Sequence, residues 1–261
     1  MLRMTKTVSL AGGTELPLIG FGTWQLAPKT AYESVRVALE IGYRHVDTAT
    51  LYQNESDVGR AVKDSGLDRE DIFVTTKLRP QDARHARRTL ESSLRLLDTG
   101  YVDLWLIHWP TSRDELVSTW QELLSAKDAG LVRNVGVSNY SPAQIDLLTK
   151  ATGQQPAVNQ IPWSPAQHDP ALLEEHRHRG VVVEGYSGLK NTDLHNPVLT
   201  EIAQRHGVTP AQVVLRWHLE HDIVILPRSS RRERIATNFD LQGFSLTPED
   251  VTAIDTLTRA G

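Results

Sequence analysis

The sequence predicts a single α/β domain folded as a (β/α)8 TIM barrel. Short apolar segments alternate with amphipathic helical segments eight times along the 261 residues. Strands that alternate with helices pair in parallel, and eight of them close a barrel of roughly 250 residues. No linker or change in composition divides the chain, so residues 1–261 are expected to form one domain.

The eight strands and their helices follow from this alternation. The predicted strands are 18–23, 43–49, 71–77, 101–108, 131–138, 156–161, 181–187 and 222–229. Helices are predicted over 30–41, 54–65, 82–98, 113–129, 141–151 and 170–179, with a helix pair in the seventh connection. Ser141 and Thr209, each followed by proline, are predicted N-caps, as are Asn54 and Asp82. Glycines are expected to end five helices: Gly66, Gly130, Gly153, Gly180 and Gly207.

Before the first strand, TVSLAGGTELPLI predicts a β-hairpin that turns at Gly12 and Gly13 and closes the bottom of the barrel. A doubly wound sheet is the competing architecture. It would carry G-x-G-x-x-G after the first strand, whereas GFGTWQ has no third glycine.

Composition and charge exclude several classes of function. A net charge of −4 gives no basic surface for nucleic acid, and no apolar run reaches the length of about 18 residues that spans a membrane. The absence of cysteine excludes disulfides, thiolate metal ligands and cysteine nucleophiles. MLRMTKTVSL lacks the apolar core of a signal peptide, so a cytoplasmic protein is expected. His176 and His178, or His218 and His221, have no third ligand nearby in sequence, and no metal site is predicted.

Polar residues at three adjacent strand ends carry the predicted chemistry. Asp47 and Lys77 end the second and third strands, His108 ends the fourth, and Tyr52 lies in the loop after Asp47. The carboxyl ends of barrel strands form the active site. Lys77, held by Asp47, would lower the pKa of the Tyr52 phenol, making it a general acid, and neutral His108 would orient a carbonyl oxygen. A bound cofactor would then have to supply hydride.

These residues lie within stretches that resemble the aldo-keto reductase superfamily, closest to its bacterial 2,5-diketo-gluconate reductase branch. The matching stretches are LPLIGFGTWQ, ALEIGYRHVDTATLYQNESDVGRAV, DIFVTTKL, YVDLWLIHWP, GLVRNVGVSNY, PAVNQI and TPAQVVLRWHLE. The resemblance implies a catalytic tetrad of Asp47, Tyr52, Lys77 and His108. It further implies reduction of an aldehyde or ketone by NADPH, in a reaction of the alcohol dehydrogenase type, by a protein expected to be monomeric.

The same resemblance implies the cofactor and substrate contacts. The predicted cofactor-binding residues are Gly22, Thr23, Asp47, Ser138, Asn139, Gln160, Tyr186, Ser187, Leu189, Arg228, Ser229, Ser230, Arg234 and Asn238. Arg228 and Arg234 are expected to bind the 2′-phosphate that distinguishes NADPH from NADH. The predicted substrate pocket comprises Trp24, Leu51, Leu78, His108 and Trp109. Many relatives carry a further C-terminal segment over this pocket, so an open pocket and broad substrate selection are expected.

Two departures from the family pattern bear on the site. NQIPWSP replaces the usual NQIELHP, and Pro162 and Trp163 are expected to pack in an outer loop. Gly188 stands where the family has proline, which predicts a looser loop after the seventh strand.

Two other functions compete with carbonyl reduction. One is a Schiff-base aldolase that uses Lys77, disfavoured because the preceding Asp/Tyr pair would keep the lysine charged. The other is an NADPH-binding redox-sensing regulatory protein with little turnover.

Overall fold

Eight parallel strands form the barrel in the computed structural model, which describes residues 6–257. Each strand pairs with the next in the order β3 to β10. The circle closes where Ile19, just before β3, bridges Ile225 of β10 in parallel. The strands are β3 (Phe21–Gly22), β4 (His45–Asp47), β5 (Phe73–Leu78), β6 (Val102–Ile107), β7 (Val132–Ser138), β8 (Val158–Pro162), β9 (Val182–Tyr186) and β10 (Val224–Ile225). The predicted barrel is confirmed; residues 1–5 and 258–261 of the predicted domain lie outside the described residues.

Helices surround the strands. They are α1 (Pro28–Ile41), α2 (Glu55–Asp64), α3 (Ala86–Leu97), α4 (Leu116–Asp128), α5 (Pro142–Thr152), α6 (Pro170–His178), α7 (Pro197–His206), α8 (Pro210–Glu220), α9 (Arg232–Phe239) and α10 (Pro248–Asp255). α7 and α8 are the predicted pair in the seventh connection. No helix within residues 6–257 is long and apolar enough to cross a membrane.

The predicted hairpin is present at the N-terminus. β1 (Thr7–Ser9) pairs antiparallel with β2 (Glu15–Pro17), and Gly12 and Gly13 have φ angles of 102° and 83°, which favour glycine. Leu10 and Leu16 of the hairpin are buried in one cluster with Phe73, Leu104 and Val158 from the barrel strands. The hairpin therefore seals the bottom of the barrel with apolar side chains.

The helix ends test the local predictions. Ser141 and Thr209 each form a capping box with a glutamine three residues later. Asn54 occupies the N-cap position of α2, but its side chain bonds Thr48 and two backbone carbonyls instead. Asp82 does not cap α3, which starts four residues later. Its carboxylate accepts a hydrogen bond from Arg79 at 2.7 Å within a 3-10 turn over Pro80–His85.

All five glycines predicted to end helices have φ angles between 65° and 73°, in the left-handed region. The outer-loop prediction for Trp163 is wrong, because its side chain is fully buried in a core cluster with Trp217 and Leu173. β10 covers only two of the eight residues predicted for the last strand. Pro227 follows it and has no N–H to extend the ladder.

Candidate active site

Lys77 is the centre of a buried polar cluster at the carboxyl ends of β4 and β5. Its Nζ lies 2.7 Å from both carboxylate oxygens of Asp47 and donates to the Thr48 carbonyl at 2.8 Å. Burial is the largest influence and opposes the charge on Lys77, but the Asp47 carboxylate and the other acidic groups nearby together hold the pKa of the ammonium above its ordinary value. Lys77 is therefore a fixed, permanent cation.

Tyr52 brings its hydroxyl to this cation. It ends a 3-10 turn (Thr50–Tyr52), which Thr50 ties to β5 by a hydrogen bond from its hydroxyl to the Lys77 carbonyl at 2.9 Å. The Tyr52 hydroxyl is 3.5 Å from Lys77 Nζ. Burial raises the pKa of Tyr52 to about 12, although Lys77 lowers it in part. The prediction that the pKa of Tyr52 is lowered is therefore wrong, because burial raises this pKa more than Lys77 lowers it. The phenol is protonated at neutral pH.

His108 closes β6 beside the tyrosine. Its ring lies edge-on to Tyr52, with 5.7 Å between ring centroids, and stacks on Trp109 at 4.0 Å. Burial, reinforced by the Lys77 charge, lowers the pKa of His108 to about 2, so the ring is neutral. Its Nδ1 is buried without a hydrogen-bond partner among residues 6–257. The ring also lines the cavity described below, and a neutral imidazole keeps one N–H that it can donate to a bound oxygen atom.

A second polar layer supports Asp47 from inside the barrel. Gln160 donates from Nε2 to Asp47 at 2.9 Å and to Glu184 at 2.6 Å. His45, two residues before Asp47 on the same face of β4, lies 3.7 Å from Glu184. Burial and the nearby Asp47 carboxylate raise the pKa of Glu184 to about 8. Glu184 thus carries a proton at neutral pH, which reduces the negative charge facing Lys77.

A cavity of about 320 Å³ opens above these residues. Most of the predicted site residues line it: Gly22, Trp24, Asp47, Tyr52, His108, Trp109, Ser138, Asn139, Gln160, Tyr186, Ser187, Leu189 and Arg228. Trp24 and Trp109 are 40% and 41% exposed and form an apolar rim. The cavity therefore places aromatic faces above a protonated phenol and a neutral imidazole.

Several predicted residues do not line the cavity. Leu78 is fully buried with Val58 and Leu90 in the layer between strands and helices, because alternate residues of β5 face outward and Lys77 faces inward. Leu51 is exposed at the surface. Thr23 is buried, and its hydroxyl donates to the Asp47 carbonyl at 2.9 Å. Lys77 lies beneath the lining, fully buried.

The wall formed by β7 and β9 carries two residues in left-handed backbone conformation. Asn139 has a φ of 63° and Ser187 a φ of 59°. The Asn139 amide donates to the His108 carbonyl and accepts from the Tyr186 hydroxyl at 2.8 Å. Strained backbone held by such contacts is typical of functional sites.

The glycine after Ser187 is tightly packed, contrary to the looser loop expected there. A Cβ on Gly188 would lie 2.8 Å from the His218 ring and 3.2 Å from the Trp163 carbonyl. His218 Nε2 lies 3.1 Å from that same carbonyl oxygen. Gly188 therefore lets the β9 loop approach α8 closely.

The remaining predicted cofactor residues lie in what we call the outer basic segment, residues 228–238. Ser229 and Ser230 precede α9, Arg234 projects from it exposed, and Asn238 is buried on it. Arg232 is engaged elsewhere, in a paired contact with Glu40 of α1 at 2.7 and 2.9 Å. Arg228 connects this segment to the cavity.

Comparison with known proteins agrees with this geometry. The sequence pattern described as "Aldo/keto reductase family" matches residues 18–259. The chain belongs to the aldo/keto reductase family. An aldo-keto reductase of Mycolicibacterium smegmatis is 40% identical over 97% of this chain and 94% of its own length. Glycerol 2-dehydrogenase (NADP(+)) of Saccharomyces cerevisiae is 38% identical over 98% and 91%. Methylglyoxal reductase DkgA of Yersinia pestis is 36% identical over 98% and 94%.

Solved structures give the same result. A point mutant of Gox0644, solved in complex with NADPH, superposes with a TM-score of 0.94 at 37% identity and covers 99% of this chain and 95% of its own. The aldo/keto reductase of Brucella melitensis superposes with a TM-score of 0.93 at 39% identity, covering 97% and 99%.

In this aldo/keto reductase, sequence reasoning missed several cavity residues. Leu215, His218 and Leu226 line the cavity from α8 and the segment after β10, and Lys190 places its Nζ 5.1 Å from the centre of the Trp24 ring. The sequence did contain a sign of His218, because a histidine on the apolar face of a helix needs polar partners in the interior. The Lys190 contact joins two loops that lie far apart in sequence, which no local pattern reveals.

Proposed function

We propose that this protein is a carbonyl reductase that reduces an aldehyde or ketone to an alcohol with NADPH, with Tyr52 as the general acid. The observation that carries the proposal is the Tyr52 hydroxyl at 3.5 Å from the fixed Lys77 cation, at the floor of the cavity. An acid must be protonated before it can donate, and the phenol meets that condition.

The residues around the cavity fit a nicotinamide dinucleotide. Ser138, Asn139 and Gln160 offer amide and hydroxyl groups to a carboxamide, and the Tyr186 ring offers a face to a planar ring. In the outer basic segment, Arg228, Arg231, Arg234 and the start of α9 suit an anionic phosphate, whereas Arg232 is paired with Glu40. When bound, NADPH supplies hydride to the carbonyl carbon. The relatives whose names carry NADP(+) or NADPH support this choice of cofactor.

The protein groups act on the carbonyl oxygen. Tyr52 donates its proton as negative charge develops on that oxygen, and Lys77 stabilises the phenolate that remains. Neutral His108 donates a hydrogen bond that orients the oxygen without competing as an acid. Asp47 keeps the ammonium in place, and its two bonds to Lys77 prevent that amine from attacking a carbonyl. The buried, protonated Lys77 thus argues against the Schiff-base aldolase.

We propose small aldehydes and dicarbonyl compounds as the substrate class. Trp24 and Trp109 form an apolar rim, while Tyr52 and His108 beneath them belong to the reacting centre. An apolar pocket of this kind excludes little, so broad selection is expected. The names methylglyoxal reductase and glycerol 2-dehydrogenase among the relatives are consistent with small oxygenated substrates.

The test uses purified protein and three measurements. We expect NADPH oxidation, followed by its absorbance, with one equivalent of alcohol formed for each NADPH consumed across a panel of aldehydes, diketones and keto sugars. Borohydride treatment with substrate should leave the protein mass unchanged, whereas trapping on Lys77 would indicate an aldolase. Tight NADPH binding without turnover on the panel would indicate a regulatory protein.

We also propose a cytoplasmic monomer. The exposed large apolar side chains among residues 6–257 are few, and Trp24 and Trp109 belong to the cavity rim, which leaves Leu51, Leu96 and Leu147. Scattered single residues of this kind do not form an interface. Light scattering after gel filtration measures the mass, and fractionation of the source cells measures the location.

A further inference from the structure

Two histidines and one aspartate meet on the side of the barrel, away from the catalytic cluster. His168 follows β8, His221 follows α8, and Asp255 is the last residue of α10. His221 Nε2 lies 2.8 Å from Asp255 Oδ1, and His168 Nε2 lies 3.5 Å from the same oxygen. One donor atom from each residue falls within 4.8 Å of the other two. Three sequence-distant segments therefore converge on one point.

The hydrogen bonds within the cluster leave His168 unsatisfied. Asp255 Oδ1 already accepts from His221 and from Trp217 Nε1, both at 2.8 Å. The His168 side chain is only 6% exposed, and the nitrogen that faces the cluster, Nε2, lies 3.5 Å from Asp255 Oδ1. The buried ring therefore makes no short hydrogen bond at Nε2, the nitrogen that faces the other two residues.

We propose that His168, His221 and Asp255 form a Zn²⁺ site with three protein ligands and an open fourth position. Two imidazoles and a carboxylate suit Zn²⁺, whose ligand distances of about 2.0–2.2 Å place tetrahedral donor atoms about 3.3 Å apart. The separation of 3.5 Å between His168 and Asp255 already matches. The separation of 2.8 Å between His221 Nε2 and Asp255 Oδ1 would have to widen slightly when the ion binds.

The residues around the cluster hold its side chains in place and add negative potential, which favours a cation. Trp217 Nε1 holds the Asp255 carboxylate, a contact of the kind that fixes metal ligands from outside. The Trp217 ring lies 5.3 Å from the His168 ring and 5.0 Å from the His221 ring, which limits their rotation. Asp169 adds negative potential, and the Arg177 guanidinium nearby is engaged with the His221 carbonyl at 2.9 Å.

The bound ion would fasten α10 and the loop after β8 to the end of α8. The ligands are separated by 53 and 34 residues (221 − 168 and 255 − 221), so the ion closes two long segments of chain. Binding to the folded state alone raises its stability. The expectation of no metal, drawn from histidines close in sequence, did not consider ligands this far apart.

The test is Zn²⁺ titration by calorimetry of the full-length protein after removal of tags and treatment with chelator. We expect one equivalent bound by the wild type, with a higher melting temperature when Zn²⁺ is present. His168→Gln, His221→Gln and Asp255→Asn keep similar side-chain shapes and should each weaken binding by more than about 100-fold, because even supporting contacts cost about 10–100-fold. His178→Gln is the matched control, since His178 is an exposed helix histidine beside Glu174.

Co²⁺ provides a second measurement that needs no variant to fold. Its visible absorption is intense in a four-coordinate tetrahedral site and weak when six-coordinate. An intense spectrum in the wild type that Zn²⁺ abolishes would support the site. The proposal would be overturned by absence of stoichiometric Zn²⁺ binding, by a six-coordinate Co²⁺ spectrum, or by equal affinity in the wild type and all three ligand variants.

Discussion

The catalytic centre and the outer basic segment both use charge, in opposite ways. Lys77 is fully buried and committed to Asp47 by two bonds of 2.7 Å, whereas Arg228 and Arg234 are exposed on a loop and a short helix. The buried pair is weakly screened by salt and rigid before any ligand arrives. The exposed guanidiniums are screened by salt, and long side chains of this kind lose rotamer freedom when they bind an anion. Changes at the centre should therefore affect chemistry or stability strongly, and changes in the segment should affect affinity modestly.

The largest effect is expected at the centre, from Tyr52→Phe. This change removes the acidic proton and leaves the ring in place, so turnover should fall by about 10²–10⁴-fold while NADPH affinity is kept. Steady-state kinetics and cofactor titration measure both. Tyr32→Phe removes the same atom from a surface tyrosine bonded to Asp64 and should leave turnover unchanged. A loss below about tenfold for Tyr52→Phe would contradict the role of the phenol.

Lys77→Met should have the next largest effect, this time on stability. Removing one partner of a buried ion pair costs about 3–5 kcal/mol, because the Asp47 carboxylate remains buried without its cation. Urea unfolding measures the free energy. Lys63→Met is the matched control, since Lys63 and Asp98 form a pair at 2.9 Å with side chains 70% and 68% exposed. Solvent screens this exposed pair, so Lys63→Met should change the free energy of unfolding very little. Equal losses for the two variants would contradict the distinction between buried and exposed charge.

Sequence patterns predicted the barrel and the location of its polar cluster, since both follow from local periodicity and from where each strand ends. They failed where long-range contacts decide. Asp82 has the residue type of a helix N-cap, but its carboxylate accepts a hydrogen bond from Arg79 instead of from the start of α3. The pKa of Tyr52 depends on how much solvent the folded chain excludes, and the sequence displays only the neighbouring cation. The side on which Leu78 packs follows from strand alternation, because its neighbour Lys77 faces the barrel interior.

The convergence of His168, His221 and Asp255 is a failure of another kind. None of the three lies in a recognisable ligand spacing, and each is an ordinary residue of its own segment. Their approach depends on how α10 packs across α8 and on the path of the loop after β8. Those arrangements result from the closure of the whole barrel, so no single segment could predict them.

A smaller effect is expected from Glu184, through pH. Its pKa in the folded protein, about 8, lies above its ordinary value of 4.5, so its protonation stabilises the fold at low pH and that contribution is lost as pH rises toward 8. His45 titrates near 6.5 when unfolded and far lower when folded, but it is present in both proteins, so its contribution cancels in their difference. Between pH 6.5 and 8, the free energy of unfolding of the wild type should fall, relative to that of Glu184→Gln, by up to about 1.4 kcal/mol per pH unit.

Urea unfolding of both proteins at several pH values between about 6.5 and 8 measures this difference. Glu184→Gln keeps an acceptor for Gln160, so the polar layer stays intact and the comparison isolates the titration. Parallel curves for the two proteins would mean that Glu184 is ionised throughout this range. The negative charge facing Lys77 would then be larger than we infer.

In the outer basic segment, the expected effect of Arg234→Ala is confined to cofactor affinity. A hydrogen bond to a charged group contributes about 1.5–3 kcal/mol, so losing one guanidinium should raise KM for NADPH at least roughly tenfold. KM for NADH should barely change, because it lacks the 2′-phosphate. Arg231→Ala removes the same charge from the exposed N-cap of α9 and controls for general electrostatic attraction. Since this segment is exposed, the NADPH effect should also shrink at high salt, whereas the loss caused by Tyr52→Phe should not. Equal changes for both cofactors would show that Arg234 does not distinguish them.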